Sequence, residues 1–295
     1  MFDVCKTYKA GTVVDILRIL SETEGVTLVA GGTDVMIRMR ERKLKEANLL
    51  SILDVDELKG IFLDDDENIV MGAGTCFSEI ACNPIVRERT PVLASAVRQV
   101  GSPQIRNIAT IGGNLCNGAV SADSAPALLA LDAILVLESR DGERQVPASG
   151  FHTGPGKTVR RRDELLTKII IPRENYENYG AHYIKFGQRN AMEISTLGCA
   201  VNLRLDHKKR SVEDIKIAYG VAAPTPVRCY KTEKILAGRE CNEEFLRILR
   251  SHVLEELQPR DSWRASKELR LQLIKELGCR AAKQAFINAG GGYVD

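Results

Sequence analysis

The chain has 295 residues, of which 44% are hydrophobic and 27% charged. That is about two domains at roughly 150 residues each, and too apolar for a disordered segment. Forty-one Lys and Arg against thirty-nine Asp and Glu leave a net charge of +2, without the marked basic excess of a dedicated nucleic-acid binder.

In chain order, residues 27–30 read as a buried strand broken by Gly31 and Gly32, with a short helix expected over 34–42. Residues 49–55 and 68–73 read as further strands, and Pro91 opens a helix over 92–97. Glycine returns at 101, 112, 113 and 118. A helix passes into a strand across 128–137, and the strand at 168–171 is stopped by Pro172. The polar stretch ENYENYG at 174–180 then reads as a linker, placing one domain at 1–176 and a second at 177–295. Residues 198–205 and 215–221 alternate as strands of a small antiparallel sheet. From Glu233 the pattern is helical. Residues 243–257 put Phe245, Leu246, Leu249, Val253, Leu254 and Leu257 on one face, and 266–286 form a long amphipathic run closed by glycines 290–292.

The longest apolar run, 125–137, holds Asp132 and is too short to span a membrane. The N-terminus MFDVCKTYKAG has neither the apolar core nor the cleavage site of a signal peptide, so a soluble cytoplasmic protein is expected. The eight cysteines at 5, 76, 82, 116, 199, 229, 241 and 279 contain no C-x-x-C pair. Metal and iron–sulfur sites usually draw on closely spaced thiolates, so reduced thiols and no metal are expected. The histidines at 152, 182, 207 and 252 are equally dispersed and read as packing or surface residues.

Four glycine-rich stretches are candidates for holding phosphate. Gly72-Ala73-Gly74 begins like a dinucleotide fingerprint, but Phe77 replaces its third glycine, so it reads as a strand-to-helix turn. Gly154 to Thr158 ends like a P-loop, but its first glycine would fall at Phe151, so a triphosphate site is rejected. The stretch LVAGGTD at 28–34 is better: backbone N–H groups in such a turn converge on a pyrophosphate, and Thr33 adds a hydroxyl. Alone, such a turn is more often only a helix N-cap. The stretch 101–118 carries four glycines and three asparagines, which suit close backbone approach to a ligand, though alone it is also a tight connection. Two such loops in one domain favour a large phosphate-bearing organic cofactor.

Together AGGTDV at 30–35, SPQIRNIATIGGNLCNGAVSADSAP at 102–126 and FHTGPGKT at 151–158 resemble the FAD-binding subunits of the molybdenum hydroxylases, their bacterial xanthine dehydrogenase branch above all. GVAAPTPVRC at 220–229 and WRASKELR at 263–270 extend the resemblance over essentially the whole chain. It implies an α+β fold: a vanillyl-alcohol-oxidase (PCMH-type) FAD-binding domain of two lobes, then a three-stranded sheet with a helical bundle of the CO-dehydrogenase-flavoprotein type. It implies that Thr27, Leu28, Val29, Ala30, Gly31, Gly32, Thr33 and Asp34 wrap the FAD pyrophosphate. Ala109, Thr110, Ile111, Gly112 and Gly113, with Asn117 and Asp123, would hold its other side and the ribose or ribityl hydroxyls. Leu166 would meet the isoalloxazine edge through its backbone, and Lys185 would set a cation near the pyrimidine ring. Val100 stands where animal members place an aromatic residue against the ring, and Met192 and Glu193 lie in a loop, 188–194, unlike the acidic loop of those members. No catalytic side chain is required. The resemblance further implies non-covalent FAD, NAD+ as acceptor, and two partners, a 2Fe-2S iron–sulfur subunit and a molybdopterin-binding subunit, in a dimer of heterotrimers. Two other classes compete: a stand-alone flavin reductase on the same fold, and a non-catalytic nucleotide-binding scaffold.

Overall fold

The computed structural model describes residues 3–189 and 191–292; Asn190, within the 188–194 loop, lies outside them, as do Met1, Phe2 and 293–295. The chain opens with β1 (Val4–Lys9), α1 (Val13–Glu22), β2 (Val26–Val29), α2 (Val35–Arg40) and β3 (Ala47–Ser51). β3 lies between β1 and β2 and runs parallel to both. Parallel neighbours need crossovers, and the two short helices sit in the connections between these strands. Thr12 caps α1, its hydroxyl oxygen accepting from the Asp15 N–H at 3.1 Å. The helix then buries Ile16, Leu17 and Leu20 on Leu50, Val55 and Leu58. The strand expected over 49–55 ends at Ser51 because the chain turns there to bring Val55 and Leu58 into this small core.

The second lobe holds β4 (Ile61–Leu63), β5 (Ile69–Gly72), α3 (Phe77–Cys82), α4 (Pro84–Arg89), α5 (Pro91–Arg98), α6 (Pro103–Arg106), α7 (Ile111–Cys116) and α8 (Ser124–Ala130). It continues through β6 (Ile134–Ser139), β7 (Gly142–Pro147), the hairpin β8 (His152–Gly154) and β9 (Lys157–Thr158), and β10 (Leu165–Ile171). Its five-stranded sheet has the order β4-β5-β10-β6-β7, antiparallel throughout. β10 is central, and its run of branched residues Ile169–Ile171 suits a strand paired on both edges. Leu165, at the start of this strand, is buried in the first lobe's core and so joins the two lobes.

The remainder folds as β11 (Tyr179–Phe186), β12 (Leu197–Leu205), β13 (Val212–Gly220), β14 (Val227–Arg228), α9 (Tyr230–Leu236), α10 (Glu243–Glu256) and α11 (Lys267–Asn288). The antiparallel sheet has three long strands, with a two-residue fourth strand, β14, beyond β13. β12 is buried on nearly every residue because α11 covers it on one side and α8 of the second lobe also packs on it. Between these halves Asn202 donates to the carbonyls of Ala130 and Asn175 at 3.1 and 2.8 Å. Arg228 pairs with Asp132 and with Glu233, both at 2.5 Å. Among the described residues no helix is long and apolar enough to cross a membrane.

Candidate functional site

A cleft of about 320 Å³ lies between the first two lobes, within the range of roughly 300–1,000 Å³ usual for small-molecule sites. Its walls come from the end of β2 and the turn after it, from the turn after β5, from α7, and from the start of β10. These segments pack backbone against backbone. A Cβ on Gly31 would sit 2.0 Å from the Ile108 carbonyl oxygen, and one on Gly112 would sit 2.6 Å from the Ala73 Cβ. The absent side chains are therefore required by the chain's own crossing. Gly32 is different: its φ of +70° is the reason for glycine there, while a Cβ would meet only Val29 and Met36 at ordinary distances.

The N–H groups of Gly31, Gly32, Thr33 and Asp34 have no hydrogen-bond partner among the described residues. Orphaned donors on successive residues of one turn form a concave cradle for an anion. In α7, by contrast, Thr110 is the N-cap and its oxygen accepts from Gly113 N–H at 3.1 Å. Gly112 N–H bonds to the Ala73 carbonyl at 2.8 Å, and Asn114 N–H to the Thr110 carbonyl at 3.0 Å. What α7 offers the cleft is side chains. The Asn114 Oδ1 accepts from Ser124 at 2.7 Å, which leaves its amide donors for a ligand. Asp34 is open to the cleft, yet burial pushes its carboxyl above the ordinary value, with the Asn117 side chain and Arg38 opposing.

Fourteen of the residues carried over by resemblance line this cleft: Thr27, Leu28, Ala30, Gly31, Gly32, Thr33, Asp34, Val100, Ala109, Thr110, Gly112, Gly113, Asn117 and Leu166. Val29, Ile111, Asp123 and Lys185 do not reach its wall. Ile111 is fully buried in the second lobe's core. Asp123 and Lys185 are bound to each other at 2.8 Å, both nearly buried. The Asp123 carboxylate also accepts from Tyr183 at 2.9 Å and Ser195 at 2.6 Å. Lys185 further donates to the carbonyls of Gln99 and Glu193, each within 2.9 Å. Burial pushes the Asp123 carboxyl up, with Lys185, Ser195 and Tyr183 holding it back. This cluster ties β11 to the segment that follows α7.

Several lining residues escape sequence reasoning. Ala73 and Gly74, in the stretch read as a plain turn, form part of the wall, with Gly112 packed on Ala73 and Leu58 against Gly74. Arg38 and Arg160 add two cations to the cleft, and the run Arg160-Arg161-Arg162 was the available signal for the second. Arg160 donates to the Glu164 carbonyl at 2.7 Å. Glu164 itself is gripped by the fork of Arg144 at 2.6 and 2.9 Å. Burial would raise the Glu164 carboxyl, but Arg144 and the Arg161 N–H outweigh it and hold it below its usual range. Cys116 also lines the cleft, and burial pushes its thiol up to about 11, so it stays protonated at neutral pH. Among the described residues no three His, Cys, Asp or Glu side chains converge as metal ligands. An anion cradle beside apolar Leu58, Val100, Ile105 and Leu166 fits a cofactor that joins a diphosphate to an apolar ring system, as FAD does.

The chain is similar to known proteins over its whole length. Residues 2–174 match the model of the FAD binding domain in molybdopterin dehydrogenase, and residues 182–285 that of the CO dehydrogenase flavoprotein C-terminal domain. The chain is 40% identical over 291 residues to a xanthine dehydrogenase FAD-binding subunit of Escherichia coli O157:H7, covering 99% of each. It is 32% identical to a nicotinate dehydrogenase FAD-subunit of Eubacterium barkeri, over 85% of this chain and 86% of that one. Among solved structures, a chain of carbon monoxide dehydrogenase from Hydrogenophaga pseudoflava superposes with a TM-score of 0.92 at 27% identity, over 98% of this chain and 99% of that one.

Proposed function

This chain belongs to the family of FAD-binding subunits of the molybdopterin dehydrogenases, the molybdenum hydroxylases, and from that premise we propose that it serves a xanthine dehydrogenase with NAD+ as acceptor. The observation that carries the cofactor site is the row of N–H groups, unpartnered among the described residues, at Gly31 to Asp34 in the turn that lines the cleft. When bound, without a covalent link, FAD would supply the exchange between single electrons from 2Fe-2S clusters and the hydride given to NAD+.

The residues of this chain bind and orient. Gly31, Gly32, Thr33 and Asp34 present backbone donors to the pyrophosphate, with Thr27 to Ala30 leading into the turn. Ala109, Thr110, Gly112, Gly113 and Asn117 form the opposite wall, while Val100 and Leu166 border the ring. Val29 and Ile111 support these walls from behind. Asp123 and Lys185 act as a locked pair that fixes β11 rather than as a free cation at the ring, since each neutralises the other. We place the functional boundary at 176/177. The 2Fe-2S clusters and molybdopterin are assigned to two partner chains, in a dimer of heterotrimers. The higher identity to the xanthine dehydrogenase subunit than to the nicotinate one supports the substrate.

The test is purification of the native complex that contains the chain. Xanthine-dependent reduction of NAD+ is the expected result; oxidation of nicotinate in its place overturns the substrate, and dye reduction without NAD+ reduction overturns the acceptor. Acid precipitation of the isolated chain should release its flavin into the supernatant, and a colourless protein would remove the cofactor assignment.

A further inference from the structure

Beyond Asn117 the chain leaves the cleft, and Ala119 and Ser121 line a second cavity of about 240 Å³. Its other walls include three arginines, Arg260, Arg264 and Arg270. Among the described residues no carboxylate lines this cavity, and none of the three arginines makes an ion pair. Arg270 is 2% exposed. Its guanidinium donates to the Thr196 carbonyl at 3.3 Å, to Ser262 Oγ at 2.7 Å, and to the Arg260 carbonyl. Every one of those partners is neutral. A buried cation with no carboxylate bonded to it is costly, and the attraction of Asp261 is set against repulsion from two more guanidiniums on the same wall. Asp261, the acid that acts on Arg270, makes no ion pair with it and accepts from the Lys267 N–H at 2.7 Å at the start of α11.

Three further features belong to the same cavity. Val221 lines it with φ at +65°, a left-handed conformation that a β-branched residue adopts only when its surroundings enforce it, and such residues gather at ligand sites. Arg264 is stacked on the ring of Trp263 at 4.2 Å, which restrains a long side chain that would otherwise be mobile. Ser262 Oγ accepts from both Arg270 and the Arg264 N–H, so its own proton is left to donate.

We propose that this cavity binds the phosphate group of a small phosphorylated ligand, held by Arg260, Arg264 and Arg270 with the hydroxyls of Ser121 and Ser262. Guanidinium forks suit phosphate oxygens, and an anion here supplies the charge the cavity lacks. The inference stands apart from the flavin assignment, because none of these residues lines the first cleft. Two sources share the chemistry, a free inorganic phosphate and the diphosphate of a dinucleotide.

Trp263 is the only tryptophan of the chain, so its fluorescence reports on the cavity. Titration of the FAD-bound chain with inorganic pyrophosphate at constant ionic strength should give a saturable change in emission. Arg260→Gln, at an exposed position, should weaken that binding about tenfold by removing one charged contact. Arg247→Gln, at an exposed helix ion pair elsewhere, should leave it unchanged. Displacement of pyrophosphate by NAD+ assigns the site to a dinucleotide, and its failure assigns it to the free anion. No saturable change, or equal affinity in Arg260→Gln and the parent, overturns the proposal.

Discussion

In the turn after β2 the N–H groups of Gly31, Gly32, Thr33 and Asp34 have no partner among the described residues, whereas those of Ile111, Gly112, Gly113 and Asn114 are taken by Thr75, Ala73 and Thr110. Both segments are glycine-rich and both line one cleft. The first is a donor surface that a ligand must complete. The second is a finished wall that contributes the amides of Asn114 and Asn117. Similar composition thus hides two uses of glycine: a positive φ at Gly32, and room for another strand of the chain at Gly31 and Gly112.

The largest effect tests the crossing that holds the two together. Gly31→Ala drives a methyl into the Ile108 carbonyl and should cost about 3 kcal/mol or more, read as a lowered urea midpoint. A parental midpoint would mean that the segments are not in contact. Next comes the anchor behind the second wall. Lys185→Met leaves the Asp123 carboxylate buried without its counter-ion, for a loss of about 3 kcal/mol in thermal unfolding. Because the pair is neutral and off the cleft wall, the flavin potential should move little; a large shift would restore Lys185 to the ring.

Gly32→Asp separates binding from folding. Aspartate tolerates the left-handed region and a Cβ there makes only ordinary contacts with Val29 and Met36, so the fold should hold. A carboxylate among the donors should still weaken FAD binding roughly tenfold to a hundredfold, measured by flavin titration of the apo-chain. The smallest effect concerns Glu164, whose carboxylate accepts from Arg144 and from the Arg161 N–H. Its folded value lies below its ordinary 4.5, so its contribution is present above that pH and is lost as pH falls through the folded value. The stability difference between parent and Glu164→Gln should therefore shrink on acidification below pH 4.5. A difference that stays constant from neutral pH into that range would rule out the depressed carboxyl.

The donor turn was legible because a buried strand followed by Gly-Gly-Thr-Asp is a local pattern, and the two-lobe architecture was legible through the motifs that resemble a family. What stayed hidden is non-local. The turn at Ala73-Gly74 looks like any strand-to-helix turn until Gly112 is placed on it. Lys185 reads through the resemblance as a cation at the ring, and its partner Asp123 is 62 residues away, with no spacing to signal the pair. Gly31 and Gly112 read as room for a ligand, because a sequence does not say which backbone will cross them.

That crossing has a consequence for how the protein is made. Gly31 finds Ile108, Gly112 finds Ala73, and Leu165 seals the first lobe's core, so the cleft has no walls until most of the first half has left the ribosome. Contacts so distant along the chain close slowly, and until they close there is nothing for FAD to bind. Once they have closed, saturating cofactor adds about 4 kcal/mol at a thousandfold excess over its dissociation constant. A chain made during flavin shortage lacks that increment and spends more of its life open to proteases. Its abundance in the cell should then follow the flavin supply, with vitamin status acting as a post-translational gate on the subunit.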